Sequence, residues 1–198
     1  MFASMRRYRV QPESLQEFVR RVDATFADQI AARDGFVSYE LIDCGEGDLF
    51  TLSIFDEIAQ AEASRDLARS WTERELADID HTRFDAVHGE SLISRAGTDH
   101  PGSVSIRLYK VGAGDMSQLL HKVDQRARSM GAFHLLDCGD QELLWVSFVD
   151  GNVEAADTRV ARFMADELAE FRPAYVVSIR GDVAVSRGGA AAPTGAGR

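Results

Sequence analysis

Lysine is nearly missing from this chain: of its 22 Lys and Arg residues only Lys110 and Lys122 are lysine. Against them stand 32 Asp and Glu, for a formal charge of −10 at neutral pH. A surface so acidic repels phosphate backbones and anionic membranes, which speaks against a nucleic-acid partner. Long apolar runs are absent too, and none approaches the ~18 residues that span a bilayer, so no membrane partner is expected. The opening Met1-Phe2-Ala3-Ser4-Met5-Arg6-Arg7 carries charge with no apolar segment behind it, and a cytoplasmic protein is the expectation. Cysteine occurs only at Cys44 and Cys138, too few for a disulfide framework, and both read as free thiols. No metal-ligand spacing, Ser/His/Asp set or phosphate-cradling glycine loop is visible.

What is there is a repeat. Leu41-Ile42-Asp43-Cys44-Gly45 returns 94 residues later as Leu135-Leu136-Asp137-Cys138-Gly139. In the same register Leu49-Phe50-Thr51-Leu52-Ser53-Ile54-Phe55-Asp56 is answered by Leu143-Leu144-Trp145-Val146-Ser147-Phe148-Val149-Asp150. Glu75-Leu76-Ala77-Asp78-Ile79 matches Glu167-Leu168-Ala169-Glu170-Phe171, and His88-Gly89-Glu90 matches Arg180-Gly181-Asp182, both at 92. Self-similarity of this length predicts a duplicated domain, with the copies packing together and making a ligand cavity between or within them. The expected division is residues 1–95, a linker at 96–102, a second copy at 103–186, and a Gly/Ala tail at 187–198 too poor in apolar bulk to fold.

Within the first copy, Ser4 to Val10 reads as a strand and Pro12 suits the first turn of a helix. Leu15, Phe18, Val19, Val22, Phe26 and Ile30 form one apolar stripe at helical spacing, ending near Gly35. Phe36 to Asp43 and Leu49 to Phe55 read as strands around a Gly45-Glu46-Gly47-Asp48 turn. A second helix is predicted from Ile58 to Ile79, and a closing strand from Phe84 to Ser94. The second copy repeats this order, with a shorter first helix that Asp115 and Gln118 would cap. A βαββαβ unit gives an α+β, ferredoxin-like layout: a four-stranded antiparallel sheet with both helices on one face. Strands such as Leu49 to Phe55 carry bulk on both faces, so the free face needs a cover, and the other copy's sheet is the natural one.

The run Met5-Arg6-Arg7-Tyr8 before a helix, then Gly35-Phe36-Val37-Ser38-Tyr39, Ser53-Ile54-Phe55-Asp56, Ala63-Ser64 with Trp71 following, and Gly89-Glu90 resembles the antibiotic biosynthesis monooxygenase-like domains of the dimeric α/β-barrel superfamily. The resemblance covers nearly all of the first copy and, more weakly, the second. It implies that two ferredoxin-like βαββαβ repeats pack their antiparallel sheets face to face as an intramolecular α/β-barrel pseudo-dimer, with a further homodimer left open. It also implies a small hydrophobic or aromatic ligand and, as one activity, cofactor-independent oxygenation of an aromatic or quinone-type substrate. A non-catalytic binding or structural module is the alternative, and haem binding or degradation a second. Haem degraders of the superfamily pair a helix Trp and a His with an Asn on the first strand, whereas the only asparagine here is Asn152.

Four residues are candidates for chemistry. Trp71 offers an indole wall for a planar ligand; His81 and His88 offer imidazoles that accept protons near neutral pH; Tyr39 could orient a phenolic or quinone group. Arg6 and Arg107 occupy matched positions and are expected to pair with acidic neighbours. No cofactor or metal is expected.

Overall fold

The computed structural model describes residues 1–84, 87–95, 102–112 and 116–188. The proposed linker at 96–101, Asp115 and the tail from 189 lie outside them. The chain divides into two compact units, unit 1 comprising Met1–His88 with the segment from Ala184, and unit 2 comprising Gly89–Val183.

Unit 1 opens with strand β1 (Phe2–Val10). A continuous helical stretch follows, made of a 3-10 turn at Pro12–Ser14, α1 (Leu15–Arg21), a π-helical turn at Val22–Phe26 and α2 (Ala27–Ala31). Then come β2 (Phe36–Asp43), β3 (Asp48–Phe55), α3 (Ile58–Glu75) and the short β4 (His81–Arg83). Antiparallel pairing orders the strands β4-β1-β3-β2, with Arg6 opposite Thr51 and Tyr8 opposite Leu49. Along β1 burial alternates after Arg6: Arg6, Tyr8 and Val10 are buried while Arg7 and Arg9 face water. The buried trio faces a core shared with Phe18, Val22, Phe26, Tyr39 and Trp71, where each large apolar side chain contributes about 1.5–3 kcal/mol on leaving water.

The two helices of unit 1 are tied together at Gly35. Its φ of +67° is left-handed, and a Cβ there would lie 2.0 Å from the Gln60 side-chain oxygen. That same oxygen accepts the backbone N–H of Glu57 at 3.0 Å and caps the start of α3. At the other end α3 stops at Glu75, four residues before Ile79, where the apolar pattern predicted its end. Arg21 of α1 takes the carbonyl of Glu75 at 2.6 Å and the carboxylate of Asp78 at 2.5 and 2.8 Å, drawing the chain out of the helix.

Unit 2 runs β6 (Ser103–Lys110), α4 (Met116–Arg126), a 3-10 turn at Ala127–Met130, β7 (Ala132–Asp137), β8 (Glu142–Val149), α5 (Val153–Asp166), a 3-10 turn at Ala169–Phe171, and β9 (Ala174–Gly188). With β5 (Val87–Ser94), the strand order is β5-β7-β8-β6-β9. The echoed motif makes the same turn in each unit. Gly45 N–H donates to Asp43 Oδ1 at 2.8 Å and Gly139 N–H to Asp137 Oδ1 at 2.9 Å; Cys44 and Cys138 N–H then donate to the carbonyls of Asp48 and Glu142, both at 2.9 Å. Both thiols are free, and burial pushes each up to about 12.

Two predicted boundaries move. The strand expected from Phe84 to Ser94 is described from Val87 onward as β5, a separate short strand β4 ends at Arg83, and Phe84 is exposed beneath the Arg7 guanidinium. The tail expected from 187 begins later, because Arg187 belongs to β9 and binds Asp28 at 2.8 Å and Asp23 at 2.9 Å in unit 1. Strands β5 and β9 each start in one unit and end in the other. The chain is thus a mixed α+β protein built on antiparallel strands. Among the described residues no helix is long and apolar enough to cross a membrane.

Candidate functional site

The helix–sheet interface of unit 1 holds a small polar cavity. Arg6 and Tyr8 of β1, Tyr39 of β2, Thr51 of β3, and Trp71 and Thr72 of α3 converge on it, with Val22 and Phe26 of the π turn closing one side. Its volume is about 10 Å³, room for a single water-sized atom. Trp71 is buried, stands 5.1 Å from the Phe26 ring, and donates its indole N–H to Thr25 Oγ1 at 3.0 Å. Thr25 lies in the π turn, so the extra backbone residue of that turn sets both the ring neighbour and the hydrogen-bond acceptor of Trp71. Tyr39 is 1% exposed and packs edge-on to Phe26 at 5.5 Å. Burial, reinforced by the neighbouring Tyr8, raises its hydroxyl far above the usual phenol range, so Tyr39 stays a neutral O–H donor. Thr51 Oγ1, also buried, has no hydrogen-bond partner among the described residues.

The same positions in unit 2 are filled. Trp145 stands where unit 1 has Thr51, and it stacks on Phe133, the counterpart of Tyr39, at 4.3 Å and 14°. Phe163 covers the pair at 5.8 Å from the indole. The matched arginine differs as well. Arg107 Nε donates to Asp157 Oδ1 at 3.0 Å, Arg180 Nε to Asp157 Oδ2 at 2.5 Å, and Ser105 Oγ to the same carboxylate. Burial pushes the Asp157 carboxyl up, but the hydrogen bonds from Arg107, Ser105 and Arg180 outweigh it and hold the group below the usual range. Arg107 thus meets the acidic neighbour expected of it and Arg6 does not. Its guanidinium reaches Ser64 Oγ on α3 at 3.2 Å, and among the described residues no carboxylate pairs with it.

The structure separates the predicted site residues. Trp71 and Tyr39 line one cavity, and His81 sits just outside it, with Tyr8 and Phe18 at 6.4 and 6.2 Å from its ring. His81 Nδ1 lies 2.8 Å from the carbonyl of Ile79; a carbonyl only accepts, so Nδ1 carries the proton and Nε2 is left as an acceptor. His81 also lines an open groove of about 490 Å³ with Thr72, Leu76, Glu73, Asp78 and Asp80, and Thr72 is common to groove and cavity. His88 turns elsewhere. Its Nε2 is 3.3 Å from Arg65 Nη1, and burial together with Arg65 lowers its affinity for a proton. Sequence reasoning missed Arg6, Thr51 and Ser64. The substitution of Thr51 for Trp145 inside the repeat was the signal available for them.

No family model and no curated protein matches the sequence. Solved structures do match in fold. Two putative monooxygenases, from Lactobacillus acidophilus and Fusobacterium nucleatum, superpose at TM-score 0.69 with 13% and 7% identity. The first covers 94% of this chain and 95% of its own, the second 96% and 95%. A heme-binding protein from Thermus thermophilus superposes at 0.60 with 8% identity, over 92% and 90%.

That last neighbour makes haem a group to test against the residues here, and they do not fit it. The groove beside His81 is lined by Glu73, Asp78 and Asp80, whose charge has the same sign as haem propionates. A second groove, about 340 Å³ in unit 2, offers Arg126, Arg159 and Arg162 but has no histidine in its lining. The space behind it is packed by the Phe133–Trp145 stack. Asn152, the only asparagine, caps α5 by accepting Ala155 N–H at 3.0 Å.

Proposed function

We propose that unit 1 binds a small aromatic molecule and oxygenates it with dioxygen and no cofactor. The observation that carries the reading is the open groove of about 490 Å³ beside His81, which shares Thr72 with the atom-sized cavity that Thr51 leaves between Trp71 and Tyr39 where unit 2 has a tryptophan. In the cavity beside Trp71, Tyr39 supplies a neutral donor to one substrate oxygen, and His81 Nε2 is the base at the adjoining groove, where the ring lies. With an anthrone-type substrate, His81 takes a proton from the ring methylene and the carbanion passes electrons to dioxygen. A C–O bond forms to the peroxide, which loses water: CH2 and O2 become C=O and H2O. The fold shared with the two monooxygenases supports an oxidoreductase of this type.

The same reading holds that the chain is a tandem duplication, residues 1–95 and 103–186, of a ferredoxin-like antibiotic biosynthesis monooxygenase-like domain forming one barrel internally, in the cytoplasm. The identical Asp-Cys-Gly turns and the passage of β5 and β9 from one unit to the other support it. The decisive assay is oxygen uptake by metal- and flavin-free protein given 1,8-dihydroxyanthrone. Uptake above the uncatalysed rate, reduced at least tenfold in His81→Gln, is the expected result. Uptake at the uncatalysed rate would leave unit 1 as a binding module without turnover.

A further inference from the structure

Two positions set the charge of the unit 1 cavity. Arg6 is 2% exposed, yet its side-chain bond is to the neutral Ser64 hydroxyl. In unit 2 the equivalent arginine is met from the equivalent helix by Asp157, itself 2% exposed, and that carboxylate also takes Arg180 and Ser105. A buried guanidinium is strongly disfavoured unless a negative group compensates it, and unit 2 follows this rule while unit 1 breaks it. The other charges felt at Arg6 make the imbalance worse, since Arg65 and Arg83 are both cationic. Beside Arg6, and opposite it in the β1–β3 register, the Thr51 hydroxyl is buried without a partner. Tyr39 adds a neutral O–H at the same cavity. Among the described residues Arg6 has no anion and the Thr51 hydroxyl no partner, and with the water-sized space they form a receptor for one negatively charged oxygen.

We infer that Arg6 and Thr51 bind an anionic oxygen of the ligand, so that unit 1 selects aromatic molecules bearing a carboxylate, phenolate or enolate. The ring extends past Thr72 toward the groove at His81, and the charged oxygen takes the place that the Asp157 carboxylate holds in unit 2. This deepens the proposed function, since it assigns the substrate class of that site. It does not require turnover. A phenol or carboxylic acid crosses the acidic groove mouth of Glu73, Asp78 and Asp80 in its neutral form and ionises against Arg6, so its charge rests beside the guanidinium and not among those carboxylates, where haem propionates would lie.

The test compares 2-naphthoate with its neutral isostere 2-naphthamide by titration calorimetry. Wild-type protein should bind the carboxylate at least tenfold tighter than the amide. Ser64→Asp supplies Arg6 with the carboxylate that unit 2 has, so it should abolish the preference and raise the melting temperature together. Arg6→Met should abolish the preference without the thermal gain, and serves if the aspartate variant folds poorly. Equal binding of the two compounds, binding of neither, or a preference that survives Ser64→Asp would each overturn the inference. A clear preference alongside uncatalysed oxygen uptake would keep the anion site and remove the oxygenase. Catalysed uptake without a preference would do the reverse.

Discussion

Asp157 and Glu40 show how one buried carboxyl stabilises a fold and another limits it. Asp157 joins Arg107, Arg180 and Ser105, and Asp157→Ala strands the partly buried Arg107 guanidinium; removing one member of a buried pair costs about 3 kcal/mol or more, and the partial exposure of Arg107 places the loss near the lower end. Urea unfolding should show that loss at pH 7, because a carboxyl held below its ordinary 3.8 contributes above that pH and stops contributing as pH falls through its folded value. Glu40 has the opposite sign. Burial raises it from 4.5 to about 8, so the folded state keeps a proton that the unfolded chain releases between those values, and stability falls as pH rises across that window. Glu40→Gln should flatten the decline between pH 5 and 8, and an unchanged slope would show that Glu40 is not its source. Trp71 and Tyr39, candidates on the sequence for their ring and hydroxyl chemistry, both line the cavity. The sequence could not separate Arg6 from Arg107. The difference lies in a helix residue fifty or more positions away, Ser64 in one unit and Asp157 in the other, and no local pattern reports that pairing.

At the scale of elements, the strands and the turns between them follow from alternation and glycine placement, and the structure keeps nearly all of them. The helices departed where tertiary bonds override propensity. The π turn at Val22–Phe26 has no signature in an apolar stripe that fits a regular helix equally well, yet it delivers Thr25 to the Trp71 indole and Phe26 to its ring. Deleting Ala24 should restore a regular helix, and a naphthoate titration of that variant should show weakened binding while far-UV circular dichroism stays unchanged. Trp71→Phe loses one hydrogen bond and a modest volume, so calorimetric melting should report less than about 3 kcal/mol; a larger loss would mark Trp71 as core alone. At the end of β9, Arg187 binds Asp23 and Asp28, both mostly exposed. Exposed pairs contribute little, and Arg187→Ala should cost less than about 1 kcal/mol in urea unfolding.

Over the whole molecule, the two units fill their helix–sheet interfaces differently. Unit 2 fills its helix–sheet interface with Trp145, Phe133 and Phe163 and neutralises its arginine internally. Among the described residues, unit 1 keeps a cavity, a buried guanidinium without a carboxylate, and an unsatisfied hydroxyl. Satisfied packing in one half stabilises the chain, and the deficit in the other is what a ligand can fill. The most direct measurement is a crystal structure of the protein soaked in 2-naphthoate. The account predicts the carboxylate in unit 1, one oxygen about 3 Å from the Arg6 guanidinium and within reach of Thr51 Oγ1, with the ring running toward Trp71 and His81. Naphthoate found instead in the unit 2 groove beside Arg159 and Arg162, with the Arg6 cavity unchanged, would contradict it.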